Sequence, residues 1–125
     1  MHEGPRKAIL ISASSDIGTA LAKRWMAQGW QVFGTYRKRS ATVENLDRSG
    51  VELIPCDLSD TASMDRALRE LGVIAADWDA LVLCSGDLDP IGPFSDCDFD
   101  AWENSVAVNF TRQLRLIHGL RGSRP

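Results

Sequence analysis

Residues 9–21 read "ILISASSDIGTAL". A branched apolar run at 9–11 gives way to small and polar residues at 12–16, then passes at once into a segment whose apolar residues, Ile17, Leu21 and Trp25, recur at helical spacing. No linker separates the two. A strand that ends in a small-residue turn and enters a helix directly leaves unpaired backbone N–H groups at the positive end of the helix dipole. That arrangement suits an anion such as a pyrophosphate.

Working outward, the strand begins at Lys7 as "KAILIS" (7–12), and the helix "DIGTALAKRWMAQG" (16–29) is stopped by Gly29. A second strand, "WQVFGTY" (30–36), precedes the polar, turn-prone and helical "RKRSATVENLDRSG" (37–50). The third strand, "VELIPC" (51–56), ends at Asp57. Ser59 or Asp60 caps the next helix, Met64, Ala67, Leu68 and Leu71 make its buried stripe, and Gly72 fits its C-terminal end. A fourth strand, "ALVLCS" (80–85), closes at Gly86, and after an acidic loop the chain from about Phe99 to Leu120 reads as one long helix. Strands alternating with helices predict an α/β fold, with right-handed crossovers and a parallel sheet covered on both faces. With no repeat, low-complexity tract or linker, residues 1–125 read as a single domain.

Composition fits that reading. The 125 residues are 44% hydrophobic and 25% charged, enough apolar material for one core. A net charge of −3 gives no electrostatic footprint for nucleic acid, and no apolar run is long enough to span a bilayer. The opening "MHEGPRK" lacks the features of a secretory signal, so the expected location is cytoplasmic. Cys56, Cys84 and Cys97 are odd in number and lack metal-knuckle spacing, and they are expected to be reduced thiols in or near the core. The acidic loop holding Asp87, Asp89, Asp96, Asp98 and Asp100 lacks a calcium-loop pattern. No metal site is expected, and Asp98 or Asp100 serves as the cap of the following helix.

These residues resemble the short-chain dehydrogenase/reductase family, over nearly the whole chain. The family's turn reads T-G-x-x-x-G-x-G, and alignment backward from Gly18 puts Ile11 at the threonine, Ser12 at the first glycine and Asp16 at the second. "CDLSD" (56–60) is similar to the family's segment with an aspartate that holds adenine, and "LVLCSG" (81–86) to its N-N-A-G strand. "PIGPF" (90–94) and "FDAWENSVAVNF" (99–110) also match in spacing and content. The resemblance implies a Rossmann-like three-layer α/β/α fold with strand order 3-2-1-4, truncated after the fourth helix. It implies cofactor binding by Ser12, Ser14, Ser15, Asp16, Ile17 and Gly18 of the turn, Tyr36 and Arg37 after the second strand, Asp57 and Leu58, and Ser85 and Gly86.

The departures bear on affinity. Ser12 adds a side chain where a tight turn favours none. Asp16 sets a carboxylate near a phosphate, a repulsion of about 1 kcal/mol at 4 Å in water, unless the side chain turns away to cap the helix. In the second reading Asp16 is a helix-start residue, and the loop is altered rather than dead. Tyr36 stands where an acid would hold the adenosine ribose, and Arg37, Lys38 and Arg39 follow, so NADP(H) is favoured over NAD(H). The same "RKR" also reads as a solvated, positively charged helix start.

Asn109 falls on the family's catalytic-helix asparagine, along one apolar face with Trp102 and Val106; it is a satisfied core amide or part of a proton-relay water site. His2 and His118 have no triad partner in sequence and are assigned no chemistry. The family's other catalytic groups are a serine after the fifth strand and a Y-x-x-x-K pair, and this sequence stops before all three. Tyr36 is its only tyrosine and lies at the adenosine end. The expected activity is therefore that of the NADP(H)-binding portion of an oxidoreductase, not catalytic alone. The alternative is a non-enzymatic binding or assembly module that has lost nucleotide affinity. An open fourth strand predicts a homodimer, by antiparallel pairing of two such strands or by the long helices alone.

Overall fold

The computed structural model describes residues 4–84, 95 and 98–121. Its elements run β1 (Lys7–Ile11), α1 (Asp16–Ala27), β2 (Gln31–Tyr36), α2 (Ala41–Arg48), β3 (Glu52–Pro55), α3 (Thr61–Ile74), β4 (Ala80–Leu83), α4 (Phe99–Val106), a π-helical turn (Ala107–Thr111) and α5 (Arg112–Leu120). The four strands form one parallel sheet in the order β3-β2-β1-β4. This is the expected α/β topology.

β1 is central, and its apolar residues are buried on both faces, as a strand covered on two sides requires. Ile9 and Ile11 join Phe33, Ile54, Met64, Leu71, Leu116 and Leu120 beneath α3 and α5. Leu10 points the other way, to Ala22, Val32, Leu46 and Val51 beneath α1 and α2. The alternation along one strand thus supplies both core layers. In register, Leu10 sits between Gly34 of β2 and Val82 of β4.

Local signals set the ends of most elements. Gly29 and Gly50 take φ of 85° and 99° after α1 and α2, where a residue with a Cβ would be strained. Ser40 caps α2 through the Val43 amide, Asp60 caps α3 through the Ala62 amide, and Asp98 caps α4 through the Asp100 amide. Cys56 and Cys84 are free thiols, buried and half-buried; Cys97 lies outside the described residues.

Several expectations need correction. α3 does not end at Gly72 but runs to Ile74, because continuing the helix carries Ala75 into the core, and the chain then reverses at Asp77 with φ of 63°. Ile17 belongs to no buried stripe: it is 65% exposed, while Gly18 and Ala22 make the buried side of α1. The long final helix is interrupted by its π-helical turn. The cap of α1 is Ser15, whose Oγ accepts from the Gly18 amide at 3.0 Å, and Asp16 is the exposed first helical residue.

Candidate functional site

The C-terminal ends of β1, β3 and β4 open onto a cleft of about 260 Å³. Its position, outside the carboxyl edge of a parallel sheet and where the strand order reverses, is where open α/β sheets take their ligands. Ser12, Ser14 and Ser15 form one wall, Cys56, Asp57, Leu58 and Ser59 another, and Arg37, Cys84 and Val108 complete it.

The β1–α1 turn is held from below by β2. The Ser12 amide donates to Oγ1 of buried Thr35 at 2.9 Å, and the Ala13 amide donates to the Thr35 carbonyl at 2.9 Å. Ser12 has φ of 65°, the left-handed conformation that a glycine adopts without penalty. The turn therefore keeps a glycine-like backbone with serine in place. Gly18 shows why one glycine is required: a Cβ there would lie 2.7 Å from the Ala13 carbonyl oxygen. Gly34 makes the same demand from β2, since its Cβ would lie 2.6 Å from that of Ala13. Ala13 is thus wedged between helix and sheet, which fixes the approach of α1 to the cleft. In the first turn of α1 the amides of Asp16 and Ile17 have no carbonyl four residues back in the helix.

At the far side, the Asp57 amide donates to Ser63 Oγ and its Oδ1 accepts from the Ser59 amide, each at 2.9 Å. Asp57 is therefore braced by its own turn, with one carboxylate oxygen committed to it. At the end of β2, Arg39 stacks over Tyr36 at 4.7 Å and pairs with Glu44 at 3.3 Å, both exposed. Of the three cations in this segment, Arg37 is the one that lines the cleft.

The two thiols were missed as site residues. Each directly follows a strand, as Ser12 does, which is the signal that could have placed them. Burial, with Asp57 adding to it, pushes the Cys56 thiol up to about 11. Burial also raises Cys84, against the opposing effect of a hydrogen bond with Ser15. In both the shift favours the neutral thiol over the thiolate. Among the described residues no group of acidic, histidine or cysteine side chains has a metal-binding arrangement. What the cleft offers is backbone amides, serine hydroxyls, one carboxylate and one cation, a set suited to holding a polar ligand.

The remaining expected residues are dispersed. Asp16 and Ile17 are exposed at the head of α1, Gly18 is buried beneath it, and Tyr36 is half-buried under Arg39. Ser85 and Gly86 lie outside the described residues. Asn109 is not a buried core amide: it is exposed on the π-helical turn, where its Nδ2 donates to Ser105 Oγ at 3.1 Å. The buried positions of this helical segment are instead Val108, Leu116 and Leu120, which leaves the face with Asn109 and Val106 toward solvent. His118 meets Arg121 Nη2 at 3.0 Å on the surface, away from the cleft-lining groups.

A family model described as enoyl-(acyl carrier protein) reductase matches residues 11–121. Serine 3-dehydrogenase of Agrobacterium fabrum is 30% identical over 118 residues, which are 90% of this chain and 46% of that protein. A short-chain dehydrogenase of Penicillium ochrochloron is 32% identical over 115 residues, 90% of this chain and 42% of its own. Among solved structures, a blue fluorescent protein from a metagenomic library, in complex with NADPH, superposes with a TM-score of 0.80 at 26% identity, covering 96% of this chain and 51% of that one. A short-chain dehydrogenase/reductase from Burkholderia multivorans with bound NADP shares the fold at a TM-score of 0.83 and 20% identity, over 98% and 55%. The chain spans about half the length of the relatives it matches. With the family model matched over most of its length, the parallel β3-β2-β1-β4 sheet and these relatives, the chain belongs to the short-chain dehydrogenase/reductase family.

Proposed function

We propose that this chain is the dinucleotide-holding portion of a short-chain dehydrogenase/reductase-type oxidoreductase, taking NADP(H) in preference to NAD(H). The observation that carries the reading is the shape of the β1–α1 turn. Ser12 holds the left-handed backbone of a glycine and Gly18 packs on Ala13, so the pyrophosphate cradle persists without two of its usual glycines. In this reading Ser14, Ser15 and the first amides of α1 hold the pyrophosphate. Asp57 and Leu58 hold the adenine side, and Arg37 meets the 2′-phosphate. The Burkholderia and metagenomic relatives, solved with NADP and NADPH, support the same ligand here. The bound cofactor would supply a hydride. Ser85 and Gly86 complete the binding set, and Asn109 is kept as the one catalytic-helix residue of the family pattern in this sequence.

The family's Y-x-x-x-K pair is not among these 125 residues, and the proposal for them is cofactor binding. The chain's setting is the cytoplasm, a proposal that fits the free thiols and the absence, among the described residues, of a helix long and apolar enough to cross a membrane. Self-association belongs to the same proposal. Among the described residues β4 pairs only with β1, and Phe99, Val106, Phe110, Leu114 and Ile117 are exposed along the α4–α5 segment. A second copy covers these surfaces in a homodimer. Light scattering at micromolar concentration should then report twice the chain mass; a monomer contradicts this part alone.

Calorimetric titration tests the central assignment. NADPH should bind more tightly than NADH, and Arg37→Ala should erase most of the difference. Equal affinities in the unmutated chain would overturn the cofactor preference. Binding of neither would favour the alternative, a non-enzymatic assembly module.

A further inference from the structure

The two sides of the cleft are joined by a contact that plays no part in the binding scheme above. Arg112, the first residue of α5, donates from Nη1 to the carbonyl oxygen of Leu58, 54 positions earlier in the chain. Leu58 is buried, lines the cleft, and stands between Asp57 and Ser59. The turn containing these residues is braced toward α3: Asp57 donates its amide to Ser63 Oγ, and the Asp60 amide donates to the Asp57 carbonyl at 3.0 Å. Those contacts fix its shape. They do not join it to the opposite wall, where Val108 borders the cleft.

Arg112 makes that junction, and the π-helical turn puts it in place. The Arg112 amide donates to the Ala107 carbonyl five residues back, and the Val108 carbonyl accepts from Gln113 Nε2 at 3.2 Å. A widened turn shifts the phase of every residue after it. Val108 and Arg112, neighbours on one segment, thereby reach the cleft and the Leu58 carbonyl. The bond is charge-assisted, and a buried carbonyl that loses such a donor is left with its desolvation cost. Arg115, three residues further on, provides a contrast: it pairs with Asp65 of α3 at 3.1 Å, with both groups about half exposed, and does not line the cleft.

We infer that Arg112 is a positioning residue. By gripping the Leu58 carbonyl it sets the spacing between the Asp57 turn and the Val108 wall, and with it the slot for the adenosine part of the ligand. This rests on the dinucleotide reading above.

The test titrates adenosine 2′,5′-bisphosphate into the unmutated chain, Arg112→Leu, Arg112→Lys and Arg115→Leu, at a temperature where circular dichroism shows each folded. Amide hydrogen exchange at Ser59 and Asp60 is recorded for each. Arg112→Leu should bind about tenfold more weakly, the scale set by one hydrogen bond to a charged group. Arg112→Lys should recover much of that loss, because an ammonium still donates to a carbonyl, and Arg115→Leu should match the unmutated chain. Exchange at the two amides should quicken in Arg112→Leu alone. A merely structural role predicts equal losses in Arg112→Leu and Arg115→Leu, and that result, or unchanged affinity in Arg112→Leu, overturns the inference. If Arg112→Leu does not fold, Arg112→Met, which keeps an unbranched stem but has no donor for the Leu58 carbonyl, carries the test: weaker binding with faster exchange supports the clamp, and no change in either refutes it. Failure of the unmutated chain to take the probe would sink the dinucleotide reading. The exchange data would still decide the clamp, with unchanged rates counting against it.

Discussion

The helical segments that border the cleft meet it in opposite ways. α1 approaches end-on, its first turn pressed against Ala13 so closely that Gly18 has no room for a Cβ. The α4–α5 segment approaches side-on, with Val108 at the cleft, Leu116 and Leu120 in the core, and a row of apolar side chains left outside. One is fixed by close backbone packing and the other by a few buried anchors. The difference teaches where substitutions will be felt: in the tightly packed turn before α1, but along α5 chiefly at the buried positions four residues apart, Leu116 and Leu120.

The largest expected effect is at Gly18. Gly18→Ala drives a methyl against the Ala13 backbone, and overpacking of this kind costs about 3 kcal/mol. Chemical denaturation should show that loss, and dinucleotide binding should fall with it. A loss well under about 1 kcal/mol would mean that α1 can slide and that the end-on description is wrong. The next effect separates two neighbours on α5. Leu116 is fully buried and Leu114 is 49% exposed, so Leu116→Ala should cost about 3 kcal/mol and Leu114→Ala less than about 0.5. Similar costs would show that the outer face of α5 is covered.

Much of this was legible in the sequence, for identifiable reasons. The strand–helix alternation is carried by apolar runs that need burial on both faces, and by Gly29 and Gly50, whose positive φ values end α1 and α2. Ser12, Ser14, Ser15, Arg37, Asp57 and Leu58 were expected from motif order and do surround one cleft. Other features depend on tertiary contacts. Gly72 looks like a stop, yet nothing crowds or bends the chain there, and the demand to bury Ala75 carries α3 onward. Ile17 keeps helical spacing but faces solvent, because Gly18 and not Ile17 is drawn against the turn. The π-helical turn has no sequence signature, so the exposure of Asn109 could not be read from periodicity.

Smaller effects sharpen the account of the turn. Ser12→Gly relieves a left-handed serine and should stabilise the fold by up to about 1 kcal/mol, seen as a raised Tm, while tightening the cofactor. Destabilisation would mean that the serine side chain gives more than its backbone costs. Asp16→Gly should lower stability slightly, since an acid in the first turn favours the helix by about 0.3–1 kcal/mol, yet it should tighten both dinucleotides by removing a negative charge. Unchanged affinity would leave Asp16 as a helix-start residue only.

A last, pH-dependent effect concerns Cys56. Its thiol ionises near the ordinary 9.0 when unfolded and near 11 when folded. The unfolded chain therefore loses its proton first, and stability should fall as pH rises from about 9 to about 11. Below that window the thiol has no pH-dependent effect. Cys56→Ala should flatten this part of a Tm-against-pH profile, and an identical slope in the variant would assign it to other groups.

The central claim is that a turn with serine and aspartate at two glycine positions still cradles a dinucleotide. Amide chemical shifts followed through an NADPH titration test it at the residues concerned. Saturable shifts at Ser12–Gly18, Arg37 and Asp57–Ser59, smaller for the same concentration of NADH, are the predicted result. Saturation elsewhere on the molecule, or no shift in the β1–α1 turn at millimolar NADPH, would contradict it.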